Sequence, residues 1–538
     1  MRSSKPAFIS VLLIVVSAFS QTSNSNHFDG NTWWGYVKVL AADSMEGRDT
    51  GSRGLQVAEG YVVDQLKQAG LQPAGTNGFY QSIKFDARQV DEKNSSLALI
   101  RDGKSEQVTL GEDAFLGTRI DLAPEVQAPL VFIGWGLSIP ERNYDDLAGL
   151  DLNGKVVVLI NGAPSDIPGP MAAHAQSAGE RWKALQKAGA IGVVSVANPA
   201  SMDIPWSRTS LNRNHVSMTL ADPNFDNSKG EQLSVVFNPA KAEMLFEGSG
   251  HSFDEIVAAA KARKQLPRFP LAVSIKAMVK MEKHEVESAN IVAKLPGSDP
   301  QLKNEYVVLS AHIDHVGIGE PIDGDRIYNG AMDNASGSAL LLDVASSLRK
   351  SGDKLKRSLL FVFVTGEEKG LLGSRYFTAY PTVDRKSMVA DINVDMFLPI
   401  VPLKFLTVLG LTESDVGEEA RQVAEARGIH AQADLQPERN LFIRSDQYNF
   451  IRHGIPSVAM SVAPDPDSPE QKQIFKDWLT KRYHAPSDDL DQPVDLSAAV
   501  QYEEVIRALM VTIAENPQRP QWKPDSFFRR YAEHPSAY

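Results

Sequence analysis

From residue 290 onward, the chain alternates apolar segments typical of β-strands with amphipathic segments typical of helices. Strands are predicted for ANIVAKL, YVVLSA, SLLFVFVT and MVADINVD, and helices for residues 337–348 and 370–380. Alternation of this kind predicts a mixed or parallel sheet that is covered by helices on both faces. The sequence therefore predicts an α/β fold, with a mixed and mostly parallel sheet sandwiched between helices.

Five short motifs between residues 310 and 489 place His, Asp and Glu beside small or apolar residues. They read SAHIDHVG, NGAMDNASG, TGEEKGLLGS, NVDM and RYHAPSDD. Three of them lie where a predicted strand ends, which is where open α/β sheets bind ligands. The chain has no cysteine, so imidazole and carboxylate groups must supply any zinc site. The candidate metal ligands are His312, Asp333, Glu368, Asp395 and His484.

Each candidate ligand also has a structural explanation when it is considered alone. Asp333 could cap the helix that follows it, Asp395 could be a buried hydrogen-bonded carboxylate, and His484 could be a surface histidine. Five such residues in one region favour a metal site. A hydrolase that activates water between two zinc ions needs imidazole ligands, a bridging carboxylate and one further carboxylate beside the metals.

Three more residues are candidates for catalysis. Glu367 and Glu368 end an apolar strand, where adjacent carboxylates are costly unless they are neutralised, so one can bind metal while Glu367 acts as the general base. Asp314 lies two residues after His312 and is expected to accept a hydrogen bond from its second imidazole nitrogen. Tyr483 is a candidate donor to a developing oxyanion. His315 is assigned to the loop without a role at the site.

The middle of the chain has a different texture and carries none of the five motifs. APLVFIGWG, KVVVLING and IGVVSVA read as buried strands and GERWKALQKAGA as a helix. We expect residues 118–285 to form a separate β-rich α+β module inserted into the first domain. The remaining predicted boundaries are 1–20 for a signal peptide, 21–117 and 286–518 for the two parts of the first domain, and 519–538 for a C-terminal tail.

Composition and the first residues limit the cellular setting. The net charge of −12 argues against a general nucleic-acid binder. A charged start, an apolar run over residues 7–16 and the small-x-small pattern at 18–20 predict a cleaved signal peptide. The apolar run is shorter than the roughly 20 residues needed to span a bilayer. We therefore expect a secreted or periplasmic protein without a stable membrane insertion.

The five motifs, in this order, resemble those of the co-catalytic two-zinc aminopeptidases of clan MH. The resemblance extends to MEGRDTGSRG and RSDQYNFIRHGIPS, and the inserted module resembles a protease-associated domain in VFIGWG, YDDLAGLDLNGKVVVL and ALQKAGAIGVVSV. It implies a zinc-exopeptidase-like phosphorylase/hydrolase fold, with one zinc on His312 and Asp395, and Asp333 bridging to a second. The second zinc would lie on Glu368 and His484, with Glu367 as the proton shuttle. Gln447 departs from the histidine that relatives often carry there.

The resemblance implies an exported aminopeptidase with two zinc ions that acts on peptides, and it makes a second copy of the chain a candidate partner. A carboxypeptidase or dipeptidase on the same site is an alternative and would need a cation for the substrate carboxylate, with Arg439, Arg444 and Arg452 as candidates. A glutaminyl cyclase, which uses one zinc, and a non-catalytic receptor-like protein, which would lack ligands, are further alternatives. The complete set of five candidate ligands argues against both.

Overall fold

The computed structural model describes residues 27–199, 201–202 and 204–536. The predicted signal peptide at residues 1–20 lies outside the described residues. Over the part of the chain that is described, none of the helices combines the length and the apolar character that crossing a membrane requires.

A large sheet of ten strands forms the centre of the first domain. Its centre is parallel, because Tyr306–His312 pairs in parallel with Ser358–Val364 on one side and with Met388–Asn393 on the other. The outer strands are mostly antiparallel, as in the long pair of Tyr80–Val90 with Met281–Leu295. The fold is the mixed α/β class that was predicted, but only the centre of the sheet is mostly parallel. From edge to edge the strand order is Ser217–Leu220, Tyr80–Val90, Met281–Leu295, Ser358–Val364, Tyr306–His312, Met388–Asn393, Ser457–Ala463, Phe405–Leu409 and His430–Gln432, with Gln72–Pro73 beside Met281–Leu295.

Helices cover both faces of the large sheet, and the alternation of side chains along its strands shows why. In strand Tyr306–His312, Val307, Leu309 and Ala311 belong to one buried cluster, whereas Val308 belongs to another on the opposite face. The first cluster includes helices Asn31–Leu40, Arg53–Gln68, Ser336–Ser351, Asp415–Glu425, Pro469–Lys481 and Leu496–Glu515; the second includes helices Leu372–Ala379 and Gln447–Arg452. Both faces of the central strands are therefore buried, which explains their almost continuous apolar sequences.

A small sheet of eight strands forms the second domain. Its first strands precede the predicted boundary at residue 118, and the large sheet resumes at Met281. The early strands were missed because they are short and, like Lys104–Val108, mostly exposed. The strand order is Lys104–Val108, Ser96–Arg101, Phe269–Met278, Glu125–Phe132, Val156–Ile160, Gly192–Val196, Leu233–Phe237 and Ala114–Leu116.

The helices of the second domain lie between its strands in the chain, and one stretch of this region returns to the first domain. Strand Ser217–Leu220 follows strands of the small sheet in sequence but lies at the edge of the large sheet, beside Tyr80–Val90. The predicted tail also packs, since Trp522 is buried and donates from its indole nitrogen to the main-chain oxygen of Gly454. The helices are Gly169–Gln176, Ala178–Lys187, Trp206–Thr209, Glu243–Phe246 and Phe253–Lys261 in the second domain, and Arg530–Glu533 in the tail.

Candidate metal centre

The parallel centre of the large sheet brings the candidate residues to one edge. His312 is the last residue of its strand, Glu367 and Glu368 follow the neighbouring strand Ser358–Val364, and Asp395 follows Met388–Asn393 on the other side. Because parallel strands end at the same edge, these side chains must lie close together. Asp333 comes from the turn before helix Ser336–Ser351, and His484 from the loop after helix Pro469–Lys481.

The structure brings all five candidate ligands together. His312 Nε2 lies 3.2 Å from Asp395 Oδ1 and 3.4 Å from Asp333 Oδ1. His484 Nε2 lies 3.2 Å from the other oxygen of Asp333, Oδ2, and 3.1 Å from Glu368 Oε2. Asp333 therefore stands between two groups of donors, with one carboxylate oxygen toward each. Their roles as ligands stay predictions.

This donor set can hold a metal ion. Ligand atoms of His312, Asp333 and Glu368 all lie within 4.8 Å of one another, and His312 and Asp333 are fully buried. Buried carboxylates at this spacing repel one another unless positive charge neutralises them. A cation bound between the imidazole and carboxylate groups supplies that charge, and nitrogen and oxygen donors suit zinc, manganese or cobalt.

The protonation of the carboxyl groups differs across the cluster. Burial raises the pKa of Glu367 well above its usual range; His312 opposes this effect, and the nearby carboxylates of Asp395 and Glu368 reinforce it. Burial also disfavours the charge on Glu368, but His484 and His315 outweigh it and hold the pKa of Glu368 well below its usual range. The two adjacent carboxyl groups therefore differ in how readily they hold a proton, and Glu367 holds it the more readily.

Asp314 contacts the site differently from the expectation. The atom of Asp314 closest to His312 Nδ1 is its main-chain oxygen, at 3.0 Å, and the carboxylate is 3.9 Å away. The carboxylate instead accepts hydrogen bonds from the main-chain nitrogen of Glu367, at 3.1 Å, and from the hydroxyl of Thr50, at 3.0 Å. The chain turns at the strand end, so the carbonyl reaches the ring and the carboxylate orients the Glu367 loop.

Tyr483 lies beside the cluster, with its ring centroid 4.1 Å from that of His484. Its hydroxyl accepts a hydrogen bond from Arg444 Nη2 at 3.1 Å. Of the three arginines considered for a substrate carboxylate, Arg444 thus reaches the site, whereas Arg452 pairs with Glu180 at 3.3 Å and Arg439 bonds Gln436 in a surface turn. Gln447 is buried and joins Asn393 to the main chain of Phe442, so its position serves the support beneath the site.

Two residues at the site were missed by the sequence analysis. His315, assigned there to the loop, is fully buried and places Nδ1 2.7 Å from Glu368 Oε1, so it fixes that carboxylate. Asp488 accepts hydrogen bonds from the main-chain nitrogens of Met332 and Asp333, both at 3.0 Å. It thereby fixes the turn that carries the carboxylate of Asp333. Both residues belong to motifs already selected, HIDH and HAPSDD, so the available signal was adjacency to a ligand.

Arg48 explains why MEGRDTGSRG accompanies the five motifs. Its guanidinium is fully buried and donates to the main-chain oxygens of Ile313, Asn329 and Gly330, at 2.9, 2.6 and 2.9 Å, and to that of Leu40 at 2.7 Å. The carbonyl of Ile313 belongs to the loop after His312, and those of Asn329 and Gly330 belong to the turn before Asp333. One buried cation therefore fixes two of the segments that carry candidate ligands relative to each other.

Residues 290–510, which contain every candidate ligand, match the sequence profile of peptidase family M28. The match covers less than half of the chain. The matched segment contains the central strands of the large sheet, and the second domain lies outside the matched residues.

Curated proteins match parts of the chain in sequence, and a solved structure matches nearly all of it in fold. The chain is 32% identical over 108 residues to leupeptin-inactivating enzyme 1 of Streptomyces exfoliatus, covering 20% of this chain and 22% of that one. It is 32% identical over 241 residues to leucine aminopeptidase 1 of Trichophyton rubrum, covering 43% and 60%. The solved aminopeptidase from Aneurinibacillus sp. strain AM-1 superposes with a TM-score of 0.53 at 19% identity, over 93% of this chain and 97% of that one, and shows a shared fold. The chain spans only 22–60% of the length of the first curated relatives that it matches.

Proposed function

We propose that this protein is a zinc-dependent exopeptidase, an aminopeptidase that releases N-terminal residues from peptides. The observation that supports this proposal is the convergence of five candidate ligands from separate segments around Glu367. The names of the leucine aminopeptidases among the curated relatives agree with it.

The residues divide the chemical work between them. His312, Asp333, Asp395, Glu368 and His484 would hold two zinc ions, which supply Lewis acidity for the scissile carbonyl and for a water nucleophile. Glu367, whose side chain lies 4.0 Å from His312 Nε2, accepts the proton of the attacking water and passes it to the leaving amine. The hydroxyl of Tyr483 donates a hydrogen bond to the oxyanion. Arg444 donates a hydrogen bond to the same hydroxyl and orients it.

Mass spectrometry of an unblocked peptide and its N-acetylated twin, incubated with the zinc-loaded protein, tests the proposal. We expect stepwise loss of N-terminal residues from the unblocked peptide only, because an aminopeptidase requires the α-amine. Trimming from the C-terminus, or the absence of hydrolysis, would contradict the aminopeptidase assignment.

Glu367→Gln is the matched variant for this experiment. It keeps the size and hydrogen-bonding capacity of the side chain and removes its ability to take up a proton. We expect it to bind zinc as the unaltered protein does and to lose roughly 10²-fold or more in rate. A variant that keeps full activity would show that another group moves the proton.

A carboxypeptidase or dipeptidase is the second candidate, because Arg444 places a cation at the edge of the site. Replacing the C-terminal carboxylate of a short peptide by an amide separates the two functions. An aminopeptidase cleaves both forms, whereas a dipeptidase or carboxypeptidase that grips the carboxylate rejects the amide.

The metal content, the cellular location and the second domain are further parts of the proposal. We expect two zinc ions per chain by elemental analysis, export with loss of residues 1–20 by N-terminal sequencing, and peptide as the substrate. We also propose that the second domain is a protease-associated domain that covers the cleft, and that the chain forms a homodimer, which sedimentation analysis tests.

A further inference from the structure

A short segment of the second-domain region reaches the metal centre. Helix Trp206–Thr209 and the following turn Ser210–Asn214 come after small-sheet strand Gly192–Val196. Trp206 fastens this segment to the second domain, since its indole nitrogen donates to the main-chain oxygen of Gly111 at 3.2 Å and its ring lies 5.6 Å from that of Phe115. The segment therefore contacts the second domain through Trp206, while the strand that follows it, Ser217–Leu220, belongs to the large sheet.

Arg208 makes the contact between this segment and the metal centre. Its Nη2 donates to the main-chain oxygen of Tyr483 at 2.7 Å, across 275 residues of sequence. No carboxylate lies within ion-pair distance of Arg208 among the described residues, and its Nε is buried without a partner there. The guanidinium of Arg208 therefore bonds this main-chain carbonyl and does not pair with a carboxylate of the described residues. Because the donor is charged, the hydrogen bond is a strong one.

The carbonyl that Arg208 holds belongs to the peptide bond between Tyr483 and His484. His484 has a φ of 50°, a left-handed conformation that residues other than glycine seldom adopt. Such a conformation persists only where surrounding contacts impose it. From the first domain, the main-chain nitrogen of Tyr483 bonds Trp478 at 3.2 Å, and the contact from the other side is Arg208.

The same segment forms a wall beside His484. Arg208, Leu211, Asn212 and His215 line a pocket together with Tyr328 and His484 itself. The candidate ligand therefore has the first domain on its Asp333 and Glu368 side and the second-domain segment on the other.

We propose that Arg208 is a positioning residue of the metal centre. It fixes the Tyr483–His484 peptide so that the imidazole points at Asp333 and Glu368, which makes the second domain a structural part of the site. The inference rests on the proposed function in one respect, that His484 binds metal. Residues supporting a ligand from outside the coordination sphere typically change metal affinity by 10–100-fold when they are replaced.

Zinc titration of the metal-free protein against a chromophoric chelator tests this inference without any peptide substrate. We expect Arg208→Gln to weaken one of two zinc-binding steps by about tenfold or more and to leave the other step unchanged, since His312 and Asp395 are not touched by the segment. Arg208→Lys keeps a charged donor and should lose less affinity than Arg208→Gln.

Arg213→Gln is the matched control, because Arg213 lies in the same segment but pairs with Glu92 at 3.2 Å and donates to the main-chain oxygen of Ser210. We expect unchanged zinc affinities for this control and an unchanged melting temperature of the metal-free Arg208 variants. Equal affinities for Arg208→Gln and the unaltered protein, or an equal loss in Arg213→Gln, would overturn the proposal. A protein that binds zinc as expected but cleaves no peptide would refute the peptidase function and leave the role of Arg208 standing.

Discussion

Two carboxyl groups that take no part in the metal centre are buried against each other. Asp343 lies in helix Ser336–Ser351 and Glu503 in helix Leu496–Glu515; both are buried, and neither carboxylate oxygen of Glu503 has a hydrogen-bond partner among the described residues. Burial, reinforced by Asp343, raises the pKa of Glu503 well above its usual range. Burial also raises the pKa of Asp343, to about 6.

Replacing Glu503 by Gln is expected to stabilise the protein at alkaline pH. Because the pKa of Glu503 is higher in the folded than in the unfolded chain, folding takes up a proton. The contribution of Glu503 to the free energy of unfolding is fully present below 4.5, its pKa in the unfolded chain. This contribution declines as pH rises from there through the pKa of the folded protein. Glu503→Gln removes this decline, so its melting temperature should exceed that of the unaltered protein by a few degrees at pH 8 and match it at pH 4.

Glu504→Gln is the control for this pH profile, because Glu504 is the next residue of the same helix and bonds His27 instead. We expect a much smaller gain at pH 8 from this change, because the charge of Glu504 adds only a minor share to the raised pKa of Glu503. Scanning calorimetry at several pH values measures both variants, and identical pH profiles for Glu503→Gln and the unaltered protein would refute the argument.

The sequence predicted residues whose role follows from where a strand ends. His312, Glu367 and Asp395 follow apolar strands, so their placement at one edge could be anticipated from the pattern alone. His315 could not, because the direction of a side chain three residues past a strand end depends on the turn the loop takes. Arg208 was equally hidden, since its partner is 275 residues away.

Among the elements, helix Ser336–Ser351 starts in an unusually close contact. A Cβ atom on Gly337 would lie 2.3 Å from Asn334 Oδ1 and 2.6 Å from the main-chain oxygen of Val394. Asn334 Oδ1 accepts a hydrogen bond from the main-chain nitrogen of Gly337 at 2.9 Å, and Asn334 Nδ2 donates one to the main-chain oxygen of Val394 at 2.9 Å. Gly337 thus lets the turn that carries Asp333 pack against the strand end that carries Asp395.

Gly337→Ala should destabilise the first domain by about 1–3 kcal/mol, because a methyl group has no space there. It should also weaken metal binding, since Asp333 must move away from Asp395. Gly60→Ala in helix Arg53–Gln68 is the matched control, with no heavy atom near its Cβ position, and should be neutral or stabilise by up to about 1 kcal/mol. Urea unfolding followed by tryptophan fluorescence measures both; equal midpoints would show that the helix start can adapt.

The prediction of elements succeeded where strands are buried on both faces and failed where they are exposed. Ser358–Val364 is buried at every position and was recognised from its apolar sequence. Lys104–Val108 is exposed at four of its five positions, so nothing in its composition distinguishes it from a loop. The small sheet therefore contains strands that precede residue 118, and strand Ser217–Leu220 joins the large sheet, which local patterns could not predict.

For the whole molecule, removal of metal should lower thermal stability. Asp333 and Glu368 are buried near each other, and without a cation their charges repel. A metal at a hundred times its dissociation constant stabilises the fold by about 2.7 kcal/mol. We expect EDTA to lower the melting temperature, and zinc, but not magnesium, to restore it. A melting temperature that is insensitive to EDTA would contradict a metal site in this cluster.

The site is assembled from residues spread over most of the chain, from Arg48, which bonds the loops around it, to His484 and Asp488. During synthesis, His484 follows more than four hundred residues after Arg48, and a chain interrupted before that point lacks a candidate ligand and the carboxylate that holds Asp333. Incomplete products are therefore unable to build the centre. The order of the residues alone therefore delays completion of the candidate metal centre until residue 488 has been synthesised.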